Sequence, residues 1–204
     1  MIRKLNTFKM SLGLRIQHML PYQSIKQISA ILLVTFGISG CAKPASVKPM
    51  TSSSRANALS PADINLSGAI CVKTVDGGKT TNPLWVSEVD NASFLIALEA
   101  SLKNNGLLAE TPETCRYDVE VNLLGLSQPY ISIDVEVTAN VNYRVRKAGV
   151  DEPYLLKTIQ TSYTARFTQD KLLWGTRLKE ANEGSIRKNI GEFIDAVLTR
   201  PPSS

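Results

Sequence analysis

From Ile131 to Val145 every odd-numbered residue is apolar, and from Ser132 to Arg146 every even-numbered one is polar. The odd set reads Ile, Ile, Val, Val, Ala, Val, Tyr, Val; the even set reads Ser, Asp, Glu, Thr, Asn, Asn, Arg, Arg. A helix returns to the same face about every 3.6 residues and cannot sustain a period of two. The stretch therefore has to be a long strand with one face in a core and the other toward water. Whatever else the chain forms must cover that apolar face.

The flanking segments supply the cover. A short strand is expected over 69–75, ending at Asp76-Gly77-Gly78. A helix capped near Asp90 or Asn91 carries Phe94, Leu95, Leu98 and Leu102 at helical spacing, and Gly106 closes it after Asn104-Asn105. Tyr117, Val119, Val121 and Leu123 alternate with Asp118, Glu120 and Asn122 in a second strand that Gln128-Pro129 breaks. After the long strand, a turn at 149–153 leads to a partner over 154–167, with Leu155, Ile159, Tyr163, Ala165 and Phe167 on one face. A helix is then expected over 171–198, with an apolar stripe from Trp174 and Leu178 to Phe193 and Val197. The order β-α-β-β-β-α predicts an α+β two-layer sandwich: a mainly antiparallel sheet with two helices on one face and an open polar face opposite. Strand one, entered through a β-α-β crossover, is expected to lie parallel to its neighbour.

The N-terminal part obeys different rules. Residues 28–40 (ISAILLVTFGISG) are uncharged and apolar, and as a helix would reach about 20 Å, short of the roughly 30 Å hydrocarbon core. Arg3, Lys4, Lys9, Arg15 and Lys26 precede Cys41, with no acidic residue among them. A basic leader, a short apolar core and small residues at its end mark a secretory signal. The run Ile38-Ser39-Gly40-Cys41 closely resembles the bacterial lipobox. That resemblance implies cleavage before Cys41, a diacylglyceryl thioether on its sulfur and, often, acylation of the new amino group. Two or three chains anchor durably where one holds only marginally. The organisation expected is a signal peptide at 1–40, a lipidated Ser/Ala/Pro-rich tether at 41–67 and one domain at 68–200.

Removing the leader changes the charge reading. The chain has 23 Lys and Arg against 18 Asp and Glu, but five of the cations lie before Cys41, so the mature part balances at 18 against 18. Its basic character is no sign of nucleic-acid binding, and no nucleic-acid partner is expected. The one histidine, His18, goes with the leader. With Cys41 lipidated, Cys71 and Cys115 remain as an even pair in an oxidising compartment. If strands one and two run parallel and adjacent, their beginnings lie side by side, and a Cys71–Cys115 bridge is expected. The alternative is two buried free thiols.

Several residue groups suggest chemistry. Gly78-Lys79-Thr80 ends like a phosphate loop, yet Lys73 stands where the first glycine belongs and Asn82-Pro83 follows in place of a helix, so a turn is expected. Ser185 and Lys188 fit a serine–lysine spacing inside the long helix without its companion motifs. Without histidine, no Ser-His-Asp or Cys-His arrangement and no imidazole metal site can form. No catalytic residue, metal or cofactor is expected. On the polar sheet face, Asp134, Glu136, Arg144 and Arg146 are candidates for docking a partner, with plain solvation as the alternative. Along the last helix, Glu183–Arg187 and Lys188–Glu192 are expected to pair on the surface. Gly184, a costly residue inside a helix, is expected where the helix packs closely on the sheet.

A lipobox, a Ser/Pro tether and one β-α-β-β-β-α domain together resemble small envelope lipoproteins of Gram-negative bacteria. The layout is similar to that of the LPS-assembly lipoprotein LptE and the YajG-type lipoproteins, in topology and segment order across about 130 residues. The resemblance implies a non-catalytic accessory or scaffold subunit, held to the membrane by its lipid and bound to another envelope protein. Ala42 follows the cysteine where a relative retained in the inner membrane would carry Asp, which implies the outer membrane, periplasmic side. A carrier of lipid or another apolar ligand is the alternative, and would need an apolar cavity.

Overall fold

The inward row of the long strand sets the architecture. In the computed structural model, which describes residues 43–53, 65–81, 88–129 and 132–199, that strand is β3 (Val135–Lys147). Val135, Val137, Ala139, Val141, Tyr143 and Val145 are all buried, while Glu136 to Arg146 alternate with them outside. Around it, in chain order, lie the one-turn helix α1 (Val47–Met50), β1 (Ile70–Asp76), α2 (Asn91–Asn104), β2 (Tyr117–Ser127), β4 (Pro153–Ala165) and α3 (Trp174–Thr199). The sheet order is β1-β2-β3-β4, with β1 parallel to β2 and the other neighbours antiparallel. Helices α2 and α3 cover one face, as the two-layer reading requires. Cys41, the signal-like run, Asn82-Pro83 and Ile131 lie outside the described residues.

Local chemistry starts and stops the elements. Asp90 caps α2 by accepting from the Ser93 amide at 2.8 Å and the Ser93 hydroxyl at 2.7 Å. Burial pushes the Asp90 carboxyl up, but those hydrogen bonds outweigh it and hold the group below its ordinary range. The cap is therefore fully present above the ordinary Asp pKa and is lost as pH falls through the lowered one. At the other end, Gly106 takes φ 68° while its amide bonds Lys103 O at 3.0 Å and the Leu107 amide bonds Leu102 O at 2.9 Å. This is a Schellman closure, which needs a left-handed residue.

Parallel pairing of β1 with β2 sets Ile70 opposite Tyr117 and brings the strand beginnings together. Cys71 and Cys115, 44 positions apart in sequence, are bridged there with Cα atoms 5.6 Å apart. In the chain-entropy model, closing that loop contributes about 4 kcal/mol.

Four expectations are corrected. The alternation begins at Ile131, but β3 begins at Val135, because β4 has no residue past Ala165 to pair and Ile133 is left 77% exposed. Phe167, expected in the core, lies beyond β4 and is exposed. The stretch after Cys41 is not a free tether throughout: Met50 is fully buried and residues 46–52 lie along α2 and α3. Finally, Glu183 and Arg187 are not a surface pair. Glu183 is buried, paired with Lys179 and accepting from the Ser46 amide at 2.6 Å, and Arg187 donates to Pro49 O at 2.8 Å.

Helix α3 meets the sheet closely at Gly184. A Cβ there would overlap the ring of Tyr163, so only glycine allows this approach. One turn on, the fully buried Asn189 accepts from the Tyr143 hydroxyl at 2.9 Å and donates to Ile159 O at 2.9 Å and Thr161 Oγ1 at 3.1 Å. These bonds satisfy a polar side chain that would otherwise carry a desolvation cost. Tyr143 also stacks on Phe193, with ring centroids 4.1 Å apart.

Gly184→Ala should gain about 1 kcal/mol of helix propensity yet lose more to overpacking, about 1–3 kcal/mol. Chemical unfolding should show net destabilisation that largely disappears in a Tyr163→Ala background, which removes the ring atoms a Cβ at position 184 would meet. A destabilisation unchanged by Tyr163→Ala would contradict the contact. Cys115→Ser should lower stability by about 2–4 kcal/mol, read as a lower unfolding midpoint.

Candidate docking surface

The outer sheet face is built by the even residues of β3 with their cross-strand partners. Register places Glu120 opposite Arg144 and Asp118 opposite Arg146 on the β2 side. Arg146 donates to Glu120 at 2.8 Å, Arg144 stands 4.0 Å from the same carboxylate, and Arg146 lies 3.9 Å from Asp151. Lys73 on β1 faces Asp118 at 3.5 Å. Between β3 and β4, Thr138 meets Ser162 at 2.7 Å and Asn142 donates to Thr158 at 2.9 Å. The centre of the face is thus a strip of short hydroxyl and amide side chains. Its charges are balanced, and most of them gather toward the disulfide end.

The four residues predicted for docking stand as two separate pairs along β3 and its entry. Arg144 and Arg146 sit together over Glu120, at the β3 end next to the disulfide. Asp134 and Glu136 lie at the other end of the strand, and Glu136 is about 27 Å from Arg144 at 3.4 Å per residue. The Asp134 carboxylate accepts from the Phe167 amide at 2.8 Å, which ties the entry to β3 to the exit from β4. Glu136 is exposed opposite Thr164. Alternation assigns residues to a common face but leaves open how far apart along it they act, and here the two pairs stand at opposite ends.

A second feature is the cleft where β1 and β2 leave the sheet near the start of α2. Among the described residues it is lined by Gly77, Gly78, Lys79, Glu88 and Val89 with 123–126, and encloses about 270 Å³. Gly77 takes φ 80°, and a Cβ on it would overlap Leu123 O. The Gly78 amide is occupied by Asn91 Oδ1 at 2.7 Å and the Lys79 amide by Val89 O at 3.0 Å. Those amides are therefore not free to cradle phosphate, and the segment is the turn expected. Burial pushes the Glu88 carboxyl up, with Lys79 opposing. The space falls below the 300–1,000 Å³ usual for small-molecule pockets.

Sequence reasoning missed the residues that seat the segment after Cys41. Lys179, Glu183 and Arg187 follow one face of α3 at four-residue spacing, a pattern that reads as solvated ion pairing. No local signal marks Ser46 or Pro49, more than a hundred positions away, as their partners. Ser185 and Lys188 do not converge on a site: the Ser185 hydroxyl is buried and donates to Asn182 O, while Lys188 donates to Ser162 O at 3.0 Å. Among the described residues, no group of three or more His, Cys, Asp or Glu is placed to hold a metal ion, and no helix is long and apolar enough to cross a membrane.

No family model matches the chain, and no curated protein matches it in sequence. Solved structures do. Protein XCC0632 from Xanthomonas campestris, described under the family model DUF330, is 10% identical with a TM-score of 0.54, covering 78% of this chain and 95% of its own. The hypothetical protein CT253 from Chlamydia trachomatis is 13% identical with a TM-score of 0.49, covering 68% and 99%. A minor lipoprotein from Acinetobacter baumannii is 12% identical with a TM-score of 0.33, covering 52% and 84%. Of these three, the Xanthomonas protein alone is similar enough in shape to show a shared fold, and at this identity the likeness extends to the fold and no further.

Proposed function

We propose that the protein is a lipid-anchored envelope protein, periplasm-facing on the outer membrane, that serves as a non-catalytic accessory or scaffold subunit of an assembly or transport system. One observation carries the reading. Of the chain's three cysteines, Cys71 and Cys115 are bridged to each other, and the third, Cys41, stands at the end of the lipobox-like run. A bridge of this kind suits an oxidising compartment, and a cysteine in that context suits acylation. Ala42 after it favours the outer membrane. The outer sheet face, with hydrogen-bonding side chains at its centre and paired charges at one end, suits a protein partner better than a small ligand.

Mass spectrometry of envelope-extracted protein should find the mature N-terminus at Cys41 with a thioether-linked diacylglycerol, and Cys41→Ala should abolish processing there. An unmodified N-terminus at another position would refute the anchor. The face has its own test. Arg144→Gln with Arg146→Gln removes both cations without setting new carboxylates opposite Asp118 and Glu120, and should lower stability by no more than about 1 kcal/mol per ion pair. The same change should sharply reduce co-purification of a partner that binds this face. Unchanged co-purification would assign docking elsewhere.

A further inference from the structure

At the end of the domain opposite the disulfide, two loops meet. One, residues 132–134, enters β3; the other, residues 166–173, joins β4 to α3. They present four large apolar side chains to solvent: Ile133 (77% exposed), Phe167 (47%), Leu172 (62%) and Leu173 (56%). Apolar side chains gathered at one end of a molecule this way mark an interaction site rather than ordinary surface.

The loops are built to hold that shape. Arg177, buried in the first turn of α3, donates to Lys171 O at 2.6 Å and Leu172 O at 2.9 Å. Its guanidinium lies over the Phe167 ring, 5.1 Å from the centroid. Asp134 ties the second loop in through the Phe167 amide. Lys171 is held by Glu180 at 2.9 Å. The leucines are thus displayed by a braced turn.

The course of the N-terminal segment says what this end faces. Ser46 bonds Glu183, Pro49 bonds Arg187 and Ser52 lies against Gly191, so the segment runs along α3 toward higher numbers. Followed backward, it heads for the start of α3. From Glu183 to Trp174 is about 14 Å of helix. The five residues from Ser46 back to Cys41 reach at most about 18 Å, enough to bring the cysteine level with the exposed leucines.

We propose that this end is a lipid-contacting tip: Ile133, Phe167, Leu172 and Leu173 enter the bilayer surface beside the acylated Cys41, so the domain stands on the membrane in one orientation. The proposal rests on the reading of Cys41 as a lipid anchor. Nearby cations Arg166, Lys171 and Arg177 are balanced by Asp134, Asp170 and Glu180, so contact is apolar and does not depend on anionic lipid or on salt.

The test uses the mature, lipidated protein in phosphatidylcholine vesicles whose acyl chains are brominated. Trp85→Phe and Trp174→Phe remove both native indoles, and Leu172→Trp or, independently, Ile133→Trp places one at the tip. Leu156→Trp, about 30 Å along β4 from its tip end, is the control. The tip indoles should lose most of their emission and shift to the blue at low and high salt alike, while the control keeps its emission. If both tip indoles remain bright while Cys41 carries lipid and the protein floats with the vesicles, the tip is refuted and the anchor stands. Quenching of the control as well would refute the single orientation. An unmodified Cys41 would overturn the anchor, and the tip with it.

Discussion

The placement of α3 on the inner face of β3 and β4 governs the rest of the molecule. Where the helix crosses Tyr163 no side chain separates it from the ring, and only Gly184 permits that distance. Asn189 then fixes the rotation of the helix by bonding Tyr143, Ile159 and Thr161 at once. A helix held in distance and rotation commits its other sides as well. Lys179, Glu183 and Arg187 are turned toward the N-terminal segment, and the first turn, with Arg177, is carried out over the loops at the end of the sheet.

Much of this is legible in the residues. The period-two run has to be a strand, and it is buried on its odd face from Val135 to Val145. Asp90, Asn104-Asn105 and Gly106 bound a helix because capping needs those side chains and that backbone freedom. The Cys71–Cys115 bridge follows from parallel neighbours with adjacent beginnings. Gly184 points to close packing because nothing else justifies glycine there. What escapes is decided by tertiary context. Ile133 keeps the alternation but has no β4 residue opposite. Glu183 looks like a solvated helix acid until the Ser46 amide arrives from more than a hundred residues away. Composition makes 41–67 a tether, yet buried Ala45, Met50 and Leu66 and a few backbone hydrogen bonds suffice to seat part of it.

Seating that segment alters what an anchor does. A protein on a flexible leash samples all orientations, and its partner must find the right face. Under the proposed anchoring at Cys41, a domain whose chain is clasped to α3 from Ser46 onward has little such freedom. Its outer sheet face, with Arg144 and Arg146 over Glu120 at the far end, would then be offered to the periplasm at a set height and angle. Preorganisation of that kind lowers the ordering cost of binding.

Residues 43–53 belong to the folded domain. Amide hydrogen exchange on the mature protein in detergent tests this directly. The Ser46 amide, bonded to Glu183 at 2.6 Å, and the Ser52 amide, bonded to Ser101 Oγ at 2.9 Å, should exchange far more slowly than in an open chain. Exchange of both amides at the rate of an unstructured peptide, while those of β3 stay protected, would contradict the account.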